Sequence, residues 1–408
     1  MEYVKRDLER KFLHMSSAFK AVMVVGARQV GKSTMLKHLA ENEERTYVTM
    51  DDLQIRSFAR SEPKLFFQTY RPPILIDEVQ KAPELFEEIK ILCDESDERG
   101  RFWLTGSQSK RLVKRAGDSL AGRLCILKMY GLSAREKLGV EPPDGLDFSL
   151  GSLIERKKLF PSNDILSTFE NIWRGGLPDV QEKDGEQVAE YFNSYIETYL
   201  MRDAVDDYGI SDTEGFRKFL RACAAFAGQL VNYNDLGVAA GVSGATAKEW
   251  VKILQTMGIV FLLEPFASNE LKRLTKTPKL YFTDTGFCAY LSSWTSRDVL
   301  MAGAASGHYY ENYVVGELLR HYAYGKNKVN LNFYRDGKMK EIDLVVEEDG
   351  ILHPIEIKKT ALPDRDAAKA FSVLRGAGRT VGTGAVFCMS DVVLPLGGDV
   401  LIVPSNLI

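Results

Sequence analysis

Short apolar runs alternate with amphipathic stretches through the first third of the chain. Ala21–Val25, Tyr47–Met50, Pro73–Ile76, Phe102–Thr105 and Leu124–Met129 are such runs. Runs of this length, with few polar positions, predict strands covered on both faces. The amphipathic segments between them predict crossover helices, so the pattern is that of a parallel α/β sheet. From about Gly139 to Asn163 the periodicity lapses into Pro, Gly and charge, which predicts a linker. Helical spacing returns over Ile165–Trp173 and Gln187–Val205, and again over Phe216–Phe226, Tyr233–Ala240 and Thr246–Met257, the last two separated by Gly241-Val242-Ser243. Two helices joined by a short glycine-containing turn carry the helix-turn-helix signature. The extended runs Ile259–Leu263 and Lys279–Thr283 can add a β-wing. The last hundred residues alternate apolar and polar positions around Asp349-Gly350, then predict a helix at Arg365–Leu374 and a strand at Ala385–Cys388. The chain thus divides into a parallel-sheet domain (1–138), a linker and helical lid (139–204), a winged-helix-like region (205–305) and a second α/β domain (306–408).

Composition narrows the class. Apolar residues at 45% and charged residues at 27% are ordinary for globular domains, so 408 residues imply roughly two to four folded domains. A net charge of -3 argues against a protein coated in nucleic acid, while leaving room for local basic patches. Cys93, Cys125, Cys223, Cys288 and Cys388 are scattered without zinc-type spacing and read as buried thiols in a reducing compartment. The start, Met1-Glu2-Tyr3-Val4-Lys5-Arg6-Asp7, is too charged for a signal peptide, and no apolar run approaches the ~18 residues that span a bilayer. A cytoplasmic protein is expected.

The first apolar run leads straight into Gly26-Ala27-Arg28-Gln29-Val30-Gly31-Lys32-Ser33-Thr34, and a helical pattern opens at Lys32-Ser33. Strand, glycine-bounded loop and helix are the setting of a Walker A loop, whose backbone N–H groups surround phosphates at a helix N-terminus. ATP and Mg²⁺ are the expected ligands, with Lys32 reaching the β- and γ-phosphates and Ser33 on the metal. Ile74-Leu75-Ile76 ends in Asp77-Glu78. Asp77 then takes the Walker B role on Mg²⁺ and Glu78 is the general-base candidate, the alternative being that the pair merely begins a surface helix over Lys81–Lys90. Thr105 and Ser107, at the end of the next strand, compete as the polar residue that senses the γ-phosphate or caps the following helix. Arg111, Arg115 and Arg123 follow, and Arg123 is favoured as an arginine finger toward a neighbouring subunit, which would require a homo-oligomer.

Gly26–Thr34, Ile74–Glu78, Leu104–Ser107, Gly122-Arg123 and Leu132-Ser133-Ala134-Arg135-Glu136, followed by Arg174-Gly175-Gly176-Leu177-Pro178 and Tyr195–Asp203, resemble a prokaryotic AAA-type, STAND-like ATPase family. Its members carry a C-terminal domain of unknown function related to restriction-type nucleases. The resemblance implies a P-loop NTPase domain, a helical and winged-helix middle and a restriction-endonuclease-like end. It also implies a Gly-Gly-x-Pro turn near the nucleotide; the plainer reading is a turn that ends one helix and starts another.

The C-terminal pattern can be worked through on its own. A two-residue turn at Asp349-Gly350 pairs Glu348 with Ile351 and Asp343 with Glu356. Period two then sets Asp343, Glu356 and Lys358 on one face, and Ile342, Leu344, Val346, Ile355 and Ile357 on the other. Two facing carboxylates can hold Mg²⁺, and a nearby lysine can orient a metal-bound water or stabilise charge on an attacked phosphate. Asp343 with Glu356-Ile357-Lys358 resembles the PD-(D/E)xK nuclease pattern, in which Glu311 matches the helix-borne acid and Glu317 is the weaker alternative. A cross-strand salt bridge is the plainer reading of the same residues. DNA is the expected partner, contacted by Lys248 and Lys252 on the second helix of the helix-turn-helix pair and by Lys272, Arg273, Lys276 and Lys279 on the wing; the alternative is a winged helix that only packs against protein, since the helix lacks an Arg or Asn cluster for base reading. His353 falls on the apolar face, and Tyr309, Tyr310 and Tyr313 are expected to pack rather than stack on bases.

Overall fold

The computed structural model describes residues 2–41, 43–107, 110–141, 145–266, 277–337 and 340–408. Residues 2–131 with 256–258 form one compact unit, and residues 132–255 with 259–408 form another.

In the first unit the predicted runs become β1 (Ala21–Gly26), β2 (Thr46–Thr49), β3 (Ile74–Asp77), β4 (Phe102–Ser107) and β5 (Leu124–Lys128). They form a parallel sheet in the order β2-β3-β4-β1-β5. β1 is buried along its whole length, which is why its sequence does not alternate. Met23, Val25, Ile76, Leu104, Phe66, Phe86 and Ile89 belong to one core cluster. β4 inserts between β1 and β3, so the ends of the three strands bring Gly26, Asp77 and Ser107 to one edge, where open α/β sheets bind ligands. No helix runs over Lys81–Lys90. A 3₁₀ turn at Val79–Lys81 is followed by a helix from Leu85 to Asp94, because Pro83 forces Ala82 out of helical conformation (φ -136°, ψ 66°).

The expected linker contains a helix, Leu150–Lys157, whose start is capped by the Ser149 side chain accepting from Ser152 N–H. Eight residues between Gly- and Pro-containing stretches are too few for periodicity to stand out. The expected helix at Gln187–Val205 runs as Gly185–Tyr195, a π-helical turn at Ile196–Leu200, and Met201–Asp206. Helices Thr213–Ala225, Tyr233–Ala240 and Gly244–Thr256 accompany a three-stranded antiparallel sheet, with β6 (Gln229–Leu230), β7 (Val260–Leu263) and β8 (Lys279–Phe282) in the order β6-β8-β7. Lys272, Arg273 and Lys276 lie outside the described residues.

The helix Ser306–Tyr324 leads to β9 (Val329–Arg335), β10 (Glu341–Glu348), β11 (Ile351–Lys358), β12 (Thr380–Val381), β13 (Gly384–Cys388), β14 (Leu394–Pro395) and β15 (Val400–Pro404). The mixed sheet has the order β14-β15-β13-β11-β10-β9, with β12 on β11. Glu348 faces Ile351 and Leu344 faces Ile355, the register worked out from the turn. Asp349 (φ 50°) and Gly350 (φ 80°) are both left-handed, as the tight hairpin requires. Arg365–Ala377 is wound as a 3₁₀ helix rather than an α-helix. His353 faces Val346, bonds the Thr383 carbonyl through Nδ1 at 2.9 Å and stacks on Phe148. Tyr309, Tyr310 and Tyr313 are buried. All five thiols are free, and all except the half-buried Cys125 are buried.

Candidate functional site

The loop after β1 turns on left-handed Gln29 (φ 62°) and Gly31 (φ 95°) and delivers the chain into the helix Lys32–Ala40. Gly26 has to be glycine: a Cβ there would lie 2.2 Å from the Met129 carbonyl oxygen. Lys32 Nζ donates to the carbonyls of Gly26 (3.2 Å) and Ala27 (2.8 Å). Burial lowers the Lys32 pKa to about 8, with Glu78 acting in the opposite sense and Arg28 reinforcing the fall. Ser33 Oγ donates to Asp77 Oδ1 at 2.5 Å, so the hydroxyl and carboxylate expected on Mg²⁺ already converge. The Tyr47 hydroxyl donates to the other Asp77 oxygen at 3.3 Å. Thr105, fully buried, donates to Asp77 Oδ1 and accepts from Glu78 N–H at 3.0 Å. Of the two competing polar residues it is Thr105 that bonds the Asp77 carboxylate and the Glu78 backbone, while Ser107 ends β4 opposite Gly26. Glu78 adopts a left-handed conformation (φ 56°, ψ 44°), a backbone strain of the kind that collects at functional sites, and its carboxylate bonds Gln80.

A second acidic centre lies on the β10–β11 hairpin. Asp343 and Glu356 are both buried; Asp343 Oδ2 accepts from Ile357 N–H at 2.9 Å, and Lys358 Nζ donates to Glu356 Oε1 at 2.6 Å. Glu356 Oε2 is buried without a partner. Burial raises the Asp343 pKa to about 7, with Glu311 adding to it. Burial, then Asp343, does the same for Glu356, also to about 7. An unpartnered carboxylate oxygen beside a second carboxylate fits a divalent cation. The predicted third ligand does not join them. Glu311 Oε1 instead accepts from the Tyr281 hydroxyl (2.6 Å) and from Lys279 Nζ (3.0 Å). Lys279 also lies 2.5 Å from Glu341 Oε1 and 3.9 Å from Asp343 Oδ1. Among the described residues no group of three or more His, Cys, Asp or Glu is arranged to hold a metal ion. Lys279, expected to reach DNA phosphates from a wing, is buried in this acidic cluster. Burial works to lower its pKa, but Glu311, Asp343 and Glu341 outweigh it and hold the ammonium above its ordinary value. The alternative acid, Glu317, is taken up by Arg320 (2.6 Å) and by Ala134 N–H (3.2 Å).

Three family models match the chain: an AAA domain over residues 18–138, and domains of unknown function over 167–298 (DUF8612) and 306–408 (DUF4143). With the Walker loop, the Asp77-Glu78 strand end and the inserted β4 in place, the first match decides the nature of that region. Residues 18–138 are an AAA-type P-loop ATPase domain. The uncharacterized proteins Rv2008c of Mycobacterium tuberculosis and Mb2031c of Mycobacterium bovis are each 28% identical over 362 residues, covering 88% of this chain and 75% of theirs. Among solved structures, the Walker-type ATPase PABY2304 of Pyrococcus abyssi aligns at 14% identity and a TM-score of 0.42, over 71% of this chain and 96% of its own. The Thermotoga maritima RuvB Holliday junction branch migration motor aligns at 15% and 0.26, over 63% and 89%. Likenesses this loose carry no argument about function.

In the first unit, Arg6 has a role that the sequence hardly announces. Arg6 is buried, and its guanidinium donates to the carbonyls of Val30 in the Walker loop and Tyr130 after β5, each at 2.8 Å. Glu9 Oε1 accepts from Arg6 N–H (2.6 Å) and from the Tyr3 hydroxyl (2.5 Å). The only local signal was Tyr3-Arg6-Glu9 at three-residue spacing, in a segment that reads as surface charge. Arg123 lies just before β5, at the sheet edge opposite the ATPase loop, so it has no route to the phosphates bound by its own chain. It makes a two-pronged pair with Asp94, Nε–Oδ1 2.6 Å and Nη2–Oδ2 2.9 Å.

The Gly-Gly-Leu-Pro turn, expected near the nucleotide, has its polar groups satisfied within the second unit. Asp284 accepts from Gly176 N–H at 2.7 Å, Lys137 Nζ donates to the Gly175 carbonyl at 2.6 Å, and Leu132 N–H donates to the Gly176 carbonyl at 2.6 Å.

Proposed function

We propose that the ATPase domain governs a C-terminal site that engages DNA and cleaves its phosphodiester bonds with a divalent metal. The observation supporting this is the hairpin register, which gathers Asp343, Glu356 and Lys358 around one unpartnered buried oxygen. An open cleft lined in part by Lys340, Glu356, Lys358, Asp366 and Lys369 borders these residues. Asp343 and Glu356 would hold the metal, which when bound supplies a Lewis acid and a low-pKa water. Lys358, half-exposed beside Glu356, is positioned to stabilise charge on an attacked phosphate. In the ATPase domain Lys32 would pair with the β- and γ-phosphates, and Ser33 and Asp77 would hold Mg²⁺. Glu78 would take the proton of the attacking water, and Thr105 holds the Asp77 carboxylate and the Glu78 backbone. The helix Gly244–Thr256 offers only modest support for a DNA contact. Lys252 is paired with Glu249 at 2.5 Å, and Lys248 sits 5.9 Å from the Tyr233 ring centroid. Arg123 would serve as a finger only in a homo-oligomer.

A second reading has its own observation. Lys279 neutralises much of the acidic cluster, as expected of a nucleotide-driven signalling switch whose C-terminal domain binds DNA or protein without cutting. Incubation of single- and double-stranded DNA with Mg²⁺ or Mn²⁺, with and without ATP, separates the two. Cleavage by the wild type that is lost in Glu356→Ala, with ATP turnover retained, is the expected result. Lys32→Ala should abolish ATP binding. A wild type that cuts no DNA under any of these conditions leaves the switch.

A further inference from the structure

Four carboxylates, Glu311, Glu341, Asp343 and Glu356, meet in the C-terminal domain, and Lys279 reaches the first three of them. It lies 3.0 Å from Glu311, 2.5 Å from Glu341 and 3.9 Å from Asp343, and is among the most buried lysines of the chain. Lys358 serves Glu356 at 2.6 Å, and Arg335 reaches Glu341 at 3.5 Å from the more exposed side. Even so, Glu356 Oε2 is left buried and unpartnered. One carboxylate oxygen on the Asp343–Glu356 side thus lacks a donor, while Lys279 supplies the Glu311 side.

Lys279 does not belong to the hairpin or to its sheet. It opens β8, the central strand of the three-stranded sheet that accompanies the helices Thr213–Ala225, Tyr233–Ala240 and Gly244–Thr256. The same strand sends the Tyr281 hydroxyl to Glu311. Asn312, next to Glu311 on the helix Ser306–Tyr324, clamps β8 by accepting from Phe282 N–H (2.9 Å) and donating to the Phe282 carbonyl (2.8 Å).

We infer that Lys279 is a built-in cation that competes with the divalent metal of the C-terminal site and keeps Glu311 from joining Asp343 and Glu356 as a ligand. This rests on the metal-site reading proposed above and adds its regulation: an ammonium and a divalent ion are drawn to the same carboxylates, and removing one favours the other.

Mn²⁺ titration of the full chain, followed by electron paramagnetic resonance of the free ion, tests this without any activity assay. Wild type, Lys279→Met and Lys279→Arg are each compared with their Glu356→Gln counterparts, so that binding at the Walker loop is subtracted. Lys279→Met should bind Mn²⁺ in a Glu356-dependent manner at least about tenfold more tightly than wild type, and Lys279→Arg should resemble wild type. Equal Glu356-dependent affinity in wild type and Lys279→Met overturns the competition while leaving the metal site standing. No Glu356-dependent binding in any variant overturns both. Should Lys279→Met unfold in metal-free buffer, recovery of its thermal transition by Mn²⁺ supports the inference and failure to recover overturns it.

Discussion

Lys32 and Thr105 show what single side chains decide. Lys32 has a lowered pKa because the loop buries it, and phosphate binding needs its ammonium form. Binding ATP above pH 8 must therefore be accompanied by proton uptake. The dissociation constant of a fluorescent ATP analogue should hold steady from pH 6.5 to 7.5 and then rise by up to about tenfold per unit above pH 8. A flat profile to pH 9.5 would show that the lysine remains charged. The lysine and its loop were legible from spacing alone, as were Asp77 and Glu78. The choice between Thr105 and Ser107 was not. Both occupy the same strand end, and only the side-chain positions show that Thr105 bonds the Asp77 carboxylate and the Glu78 backbone. Arg6 was invisible for a related reason: its partners are the carbonyls of Val30 and Tyr130, and no residue type advertises a backbone acceptor.

Elements whose geometry is local were read well. The register of the β10–β11 hairpin follows from a turn that needs two left-handed residues. The strict division into one apolar and one polar face does not hold: Val345 and Leu352, on the Asp343–Glu356 side, are fully buried, and Ile342 shares a core cluster with them where the β9–β10 pairing is irregular. The helix Leu150–Lys157 was missed because its identity rests on a cap and on tertiary anchoring: Arg156 bonds the carbonyls of Leu407 and Ile408. The Gly175-Gly176 turn is decided by close approach. Gly175 has φ 71° and ψ -162°, a region that only glycine populates readily, and a Cβ there would lie 2.1 Å from Asp284 Oδ1. Gly175→Ala should lower the unfolding free energy by about 2–4 kcal/mol in urea denaturation. A loss under about 0.5 kcal/mol would mean that the turn relaxes freely.

At the level of the whole molecule, each of the two units carries an acidic site. At the ATPase site, Ser33, Tyr47 and Thr105 each donate to Asp77, whereas the carboxyls of Asp343 and Glu356 are raised to about 7. A carboxyl whose pKa is higher folded than unfolded binds more protons in the native state. Its contribution to stability is complete below about pH 4 and is lost as pH rises through 7. The wild-type melting temperature should therefore fall between pH 5 and 8 by roughly 3 °C more than that of Glu356→Gln. Parallel profiles would mean that the pair is neutralised by its lysines at every pH. No described helix is long and apolar enough to cross a membrane.

By itself the sequence determined the Walker loop, the strand-borne acids, the alternation of the first sheet and the register of the C-terminal hairpin. Each of these is set by residues within a few positions of one another, where backbone geometry turns spacing directly into shape. Tertiary structure alone decided that Thr105 bonds the Asp77 carboxylate and the Glu78 backbone, that Arg6 braces the loop, that Arg123 faces away from it, and that Lys279 rather than a ligand set meets Glu311. Those pairings join segments tens to more than a hundred residues apart, brought together by strand order and sheet packing. No periodicity along the chain encodes which distant side chain will fill a buried pocket.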